Sequence, residues 1–228
     1  MGNCSCLQSP KETEEFLLIS AADSDSPAVL AYKTHCEKMI PELREVYIQF
    51  LQHKGKKIQK LEIKEKELGE LGCELLCKIF PEIINLKELI LSNTCLGLEG
   101  ANKIADTLSD LRKLEKLIMP RNKLTDEGVE IICQAIPYMG EIREIDFSYN
   151  DITSVGAEKI EEAVMDLEHL EVLRVEGNNL KRRSLEKLAK MLEGKSKLKV
   201  FEFGVSGMTE IEIESIKKPL PKLFTSHK

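Results

Sequence analysis

The residues with the most pointed chemistry stand at the start of the chain, MGNCSC. Removal of the initiator methionine exposes the α-amine of Gly2, which has no side chain to hinder acylation. Cys4 and Cys6 carry thiols that form reversible thioesters with fatty acids. Their shared chemistry is covalent attachment of lipid.

The stretch is similar to the N-myristoylation signal M-G-x-x-x-[ST], with Cys6 in the Ser/Thr position. One myristoyl chain binds a bilayer only marginally, so a second signal is required. Residues 7–27 do not supply it by charge. They hold Lys11 against Glu12, Glu14, Glu15, Asp23 and Asp25, a net charge of −4 that an anionic leaflet repels. The expectation is myristoyl on Gly2 and palmitoyl on Cys4 and Cys6. The protein is then peripheral on the inner, cytoplasmic face of the plasma membrane or an endomembrane.

Other chemistries find less support. No run of 18 apolar residues suits a membrane span, and no basic-then-apolar leader suits secretion. A cytosolic chain keeps its seven cysteines as thiols. CxxC is absent and His35, His53, His169 and His227 are scattered, so no zinc, other metal or cofactor is expected. With no Gly-rich phosphate loop and no nucleophile elbow, the chain is not expected to be an enzyme. A net charge of −6 gives no reason to expect nucleic acid.

What must be positioned is carried by a repeat. IQKLEIKEKEL, LKELILSNTCL, LEKLIMPRNKL, IREIDFSYNDI, LEVLRVEGNNL and LKVFEFGVSGM align without gaps. They start at Ile58, Leu86, Leu114, Ile142, Leu170 and Leu198, 28 residues apart. Alternating pairs such as Leu89/Leu91 and Ile145/Phe147 predict short strands with one buried face. Asn122, Asn150 and Asn178 follow three residues later and are expected to bond the turning backbone of their own and the next repeat. Thr94, Ser206 and Lys66 stand in their place elsewhere. Gly72, Gly100, Gly128 and Gly156 come after the turn, and the apolar spacing then becomes helical, as in Val129, Ile132 and Ile136.

LxxLxLxxNxL with a helical half resembles the ribonuclease-inhibitor type of leucine-rich repeat over about residues 58–208. NOD-like receptors, Ran GTPase-activating proteins and tropomodulins carry similar arrays. The resemblance implies an α/β right-handed solenoid, a concave parallel sheet of about six strands with helices outside, used to bind proteins. Residues 1–26 read as an anchor and linker, 27–57 as a helical cap beginning at Ser26 and Pro27, and 209–228 as a cap helix opened by Thr209 and Glu212, with a tail.

On such a sheet the residues between the buried ones face the concave side. The candidates are Glu62, Glu88, Ile90, Lys116, Ile118, Arg121, Asp146, Tyr149, Arg174 and Glu202. Ile90 and Ile118 are expected to be exposed neighbours beside Arg121 and Tyr149, a composition suited to a partner protein. The chain is read as a monomeric scaffold or adaptor. The alternatives are a small-GTPase regulator of the Ran-activator type and an actin-associated capping protein. Charge is uneven: residues 126–176 carry 14 acids against Arg143, Lys159 and Arg174, a net of −11, and residues 181–199 carry a net of +6.

Overall fold

A computed structural model describes residues 27–35, 38–53, 58–205 and 207–224. Ser26, expected as a helix cap, and the lipidation candidates Gly2, Cys4 and Cys6 lie outside them. Among the described residues two helices come first, α1 (Pro27–His35) and α2 (Pro41–His53). Strand and helix then alternate: β1 (Lys60–Lys64), α3 (Gly69–Ile79), β2 (Glu88–Ser92), α4 (Gly97–Leu108), β3 (Lys116–Ile118), α5 (Thr125–Ala135). The series continues with β4 (Glu144–Asp146), α6 (Ser154–Val164), β5 (Val172–Arg174), α7 (Arg182–Leu192) and β6 (Val200–Glu202). Helices α8 (Glu210–Lys217) and α9 (Pro221–Phe224) follow.

The strands form one parallel six-stranded sheet in sequence order. Each pairs with the next at a shift of 28 residues, as in Leu61 beside Leu89 and Leu117 beside Ile145. This is a leucine-rich repeat solenoid. Alternation along each strand sends Leu89, Leu117, Ile145 and Leu173 inward, where they are fully buried with helix residues such as Ile104, Ile132 and Ile160. No single strand–helix unit could bury both its faces, so the core runs through the stack as one cluster.

At the strand exits the backbone turns through left-handed conformations at Glu65, Asn93, Arg121, Tyr149 and Gly177, with φ between 53° and 67°. Four of these are not glycine, at a cost of about 1–2 kcal/mol each. The asparagine ladder holds the turns. Asn150 Oδ1 accepts from the N–H groups of Asn122 (2.9 Å) and Leu124 (3.4 Å), while its Nδ2 donates to the carbonyls of Met119 (2.8 Å) and Ser148 (3.2 Å). Asn122 makes the same set toward Thr94, Leu96, Leu91 and Pro120. The side chain therefore reaches its own and the preceding repeat, not the next one as the sequence reading had it. The strand exit faces the preceding turn, and the N–H groups of Asn122 and Asn150 are each taken by the next asparagine.

The recurrent glycines sit inside the first helical turn rather than ahead of it. A Cβ on Gly100 would lie 2.7 Å from Leu96 Cδ1, and one on Gly156 would lie 2.5 Å from Asp126 Oδ1. Steric room, not backbone freedom, selects them. Asp126 also ties two repeats: Oδ1 accepts from Thr153 N (2.7 Å) and Gly156 N (2.9 Å), and Oδ2 from Thr153 Oγ1 (2.6 Å), at the start of α6.

At the ends, Tyr47 of α2 stacks on Tyr32 of α1 at 6.0 Å, and its hydroxyl donates to the carbonyl of Leu75 at 2.6 Å. At the other end Thr209 and Glu212 form a capping box and Ile216 is buried. Phe203 meets Phe201 and, edge-on, Phe224.

Asn150→Ala strands buried N–H and C=O groups in two repeats. Urea unfolding is expected to show a loss of about 3 kcal/mol. Asn178 is only half-buried, and its alanine variant is expected to lose about half as much.

Candidate functional site

The sheet register sets the candidate residues in rows. Glu62, Ile90, Ile118, Asp146, Arg174 and Glu202 lie side by side on successive strands. Two residues earlier, Lys60, Glu88, Lys116, Glu144, Val172 and Val200 form a second row. Both rows are on the face turned away from the helices, because the alternate residues fill the core.

Most charges in these rows are already matched. Glu62 accepts from Lys64 (2.5 Å) and Lys60 (2.9 Å), and these two bonds hold its carboxyl below the usual carboxylate range. Lys116 reaches Glu88 at 2.9 Å and Glu144 at 4.0 Å. Arg174 lies between Glu144 and Glu202, donating to the latter from Nε at 2.9 Å. A chain of alternating charge thus crosses the strands from Glu88 to Glu202. A second chain just before the strands joins Lys87 to Glu115 (2.7 Å), and Arg143 and Lys199 to Glu171 (3.1 and 2.5 Å). Exposed pairs like these add little stability each. Their effect is to fix long side chains and occupy their donors.

Ile90 and Ile118 are half-buried rather than exposed as expected. Adjacent strands bring neighbouring side chains close enough to shield their flanks, as the parallel spacing dictates. Their tips still form an apolar strip between the charged residues. Asp146 turns to the backbone and accepts from Ser148 N at 2.8 Å.

Arg121 and Tyr149 come together at the strand exits. The guanidinium lies 4.0 Å from the ring centroid, a cation–π contact. The Tyr149 hydroxyl donates to Glu176 at 3.4 Å, and its ring presses on Gly177, where an added Cβ would sit 2.2 Å away. Tyr149 is 40% exposed. The structure thus joins Ile90, Ile118, Arg121 and Tyr149 on one side of the sheet and engages Glu62, Glu88, Lys116, Arg174 and Glu202 in ion pairs. The pairing was missed in the sequence, although the sign alternation Glu88, Lys116, Glu144 at the 28-residue period carried the signal.

Among the described residues, Cys73, Cys77, Cys95 and Cys133 are free thiols, and no cluster of His, Cys, Asp and Glu is placed to hold a metal. Burial pushes the Cys73 thiol up to about 11, and burial raises Cys133 as well. No described helix is long and apolar enough to cross a membrane.

Residues 83–105, 110–133 and 142–160 match the Leucine Rich repeat family model. No curated protein matches the chain. The solved structure of leiomodin-1 actin-binding site 2 (ABS2) is similar at a TM-score of 0.52 and 15% identity, over 66% of this chain and 86% of that one. The tropomodulin C-terminal domain from Caenorhabditis elegans gives a TM-score of 0.44 at 15% identity, over 79% of this chain and 92% of that one. The likeness to leiomodin-1, at such identity, speaks for the fold alone. The repeats themselves suggest protein binding.

Gly177→Ala tests the Arg121–Tyr149–Gly177 stack. It is expected to cost about 1–2 kcal/mol by displacing the ring and straining a left-handed residue. Gly140→Ala, with nothing within 4 Å of the added carbon, is the control and is expected to leave the urea midpoint nearly unchanged.

Proposed function

We propose that this chain is a protein-binding leucine-rich repeat scaffold, held at the cytoplasmic face of a membrane by acyl groups on Gly2, Cys4 and Cys6. The observation that carries the binding reading is the patch of Ile90, Ile118, Tyr149 and Arg121, left apolar and reachable while the charges around it are matched. Such a strip loses little on desolvation and gains on contact, and an aromatic and an arginine at its rim are the residue types on which binding energy concentrates. The ion-paired residues act as a rim: a partner that leaves those pairs intact does not have to desolvate lone charges. No catalytic role is assigned to any side chain.

The lipid reading rests on the sequence MGNCSC and on the acidic composition of residues 7–27, which leaves the thiols as the second membrane signal. A second reading of the partner is an actin-associated one. It is favoured by the fold likeness to the actin-binding site of leiomodin-1. Sedimentation with actin filaments distinguishes it from a partner unrelated to actin.

For the sheet face, Ile90→Asp with Ile118→Asp is expected to abolish capture of membrane-fraction partners by cross-linking, with the fold intact by circular dichroism. Unchanged capture overturns the assignment of that face. For the anchor, metabolic labelling with an alkyne myristate is expected to mark the wild type and not Gly2→Ala. Cys4→Ser with Cys6→Ser is expected to keep the label and lose membrane residence. Unlabelled, soluble wild type overturns the anchor and leaves the sheet-face reading standing.

A further inference from the structure

The outer helix face has a pattern that the sheet-face reading does not use. On α6 and its C-cap residue Met165 the outward ridge is Val155, Glu158, Glu162 and Met165, spaced so that all four lie opposite the buried Ala157, Ile160 and Val164. On α7 the outward ridge is Arg183, Lys187 and Lys190, opposite the buried Leu185, Leu188, Ala189 and Leu192. The acidic ridge carries large apolar side chains at both ends: Val155 is 59% exposed and Met165 52%. Within the chain these charges are only loosely engaged. Lys187 meets Glu161 at 3.1 Å, Lys159, half-buried, bridges Glu130 (3.1 Å) and Glu162 (3.6 Å), and the Lys187 side chain is 57% exposed. Pairs of that kind exchange partners at little cost.

We propose that the outer face of α6 and α7 binds a second copy of this chain in a two-fold dimer, acidic ridge on basic ridge. Two neighbouring ridges of opposite sign are self-complementary under one symmetry operation only. Helices α6 and α7 start 28 residues apart and run in the same direction. A two-fold axis lying between them and parallel to them sets α6 of each copy over α7 of the other at the same height. Glu162 then meets Lys190 and Glu158 meets Lys187, each twice, and Val155 and Met165 are covered. An in-plane axis perpendicular to the helices sets acid on acid and is disfavoured.

An anionic bilayer is the competing occupant of the basic ridge. The neighbouring Glu158, Glu162 and Asp166 oppose it, because they would be held against the same negative surface. A second copy satisfies both ridges at once. The contact involves four helices and few apolar groups, which fits a weak dimer strengthened by low salt and by concentration on a membrane.

The experiment is sedimentation of the full chain over a range of concentrations at low and high salt. The expected result is a monomer–dimer equilibrium that weakens with salt. Lys187→Glu with Lys190→Glu, and separately Glu158→Lys with Glu162→Lys, are each expected to raise the dissociation constant roughly tenfold or more. Mixed together, the two variants are expected to form a one-to-one heterodimer, because each then meets the opposite sign on both ridges. That rescue is not available to variants that have merely misfolded. A wild type that is monomeric throughout, or a dimer indifferent to both reversals, overturns the proposal. So does a monomer that binds phosphatidylserine vesicles through Lys187 and Lys190, which gives the ridge to lipid. Ile90→Asp with Ile118→Asp lies on the opposite face and leaves the dimer unchanged, so the two readings fail separately.

Discussion

The solenoid depends on how it satisfies the backbone at the strand exits. Three-residue strands such as β3 and β4 leave the chain almost at once, and the turning N–H and C=O groups lie next to the core where water does not reach. Unmet, each would cost about 1–3 kcal/mol. One amide side chain per turn answers two donors and two acceptors, split between its own turn and the one before it. Only asparagine has both groups at that length: aspartate lacks the donor, and threonine reaches less far. Where Thr94 replaces it, the hydroxyl is buried and donates forward to Asn122. The ladder thus runs backward from Asn178 to Asn122 and stops at the repeat that has no amide to continue it.

Fixing the turns also fixes the helices. Leu68, Leu96 and Leu124 precede α3, α4 and α5 without any side-chain cap, and each lies against a glycine in the first turn of its own helix. The leucine fixes the packing of the first turn, and at α4 and α5 the first N–H is met from the next repeat, Gly97 N by the Asn122 carbonyl (2.8 Å) and Thr125 N by that of Asn150 (2.9 Å). At α6 the arrangement changes, and Thr153 and Asp126 supply a polar cap from two repeats. The same start is reached by two different means, and this accounts for a 28-residue period that survives changes at single positions.

The period, the strands, the helices and the buried face of each were legible in the sequence, because every one of them is a property of single residues repeated at fixed spacing. Val129, Ile132 and Ile136 announce a buried helix face whatever surrounds them. What was not legible depends on pairs. The backward reach of Asn150 depends on which turn lies beside it. The half-burial of Ile90 depends on flanking side chains from two other strands. The engagement of Arg174 by Glu144 and Glu202 needs the register and two rotamers. The glycines show the same limit: Gly156 reads as a turn residue until Asp126 of the previous repeat is placed 2.5 Å from its missing Cβ. The proposed anchor rests on the residue types of Gly2, Cys4 and Cys6 alone and draws on no fold.

Charge is used differently on the two faces, and that difference sorts the surface. On the sheet side, opposite charges fall on adjacent strands, within reach of one another, so the ladder from Glu88 to Glu202 closes inside the chain. On the helix side, neighbouring helices also pair, as in Lys103 with Glu70 and Lys159 with Glu130, but the outward residues of α6 and α7 carry one sign each, Glu158 and Glu162 against Arg183, Lys187 and Lys190. Lys187 can meet Glu161 at the seam, but the outward ridges point to solvent in parallel and cannot all pair within the chain. A face whose charges close internally presents its apolar atoms, and a face whose charges remain separated presents a field. The first selects by shape and contact over a few ångströms, and the second by sign over about a Debye length of 8–10 Å. On the two readings proposed above, one solenoid offers two surfaces of different range, the sheet face with its charges paired across strands and the α6–α7 face with its outward charges turned to solvent.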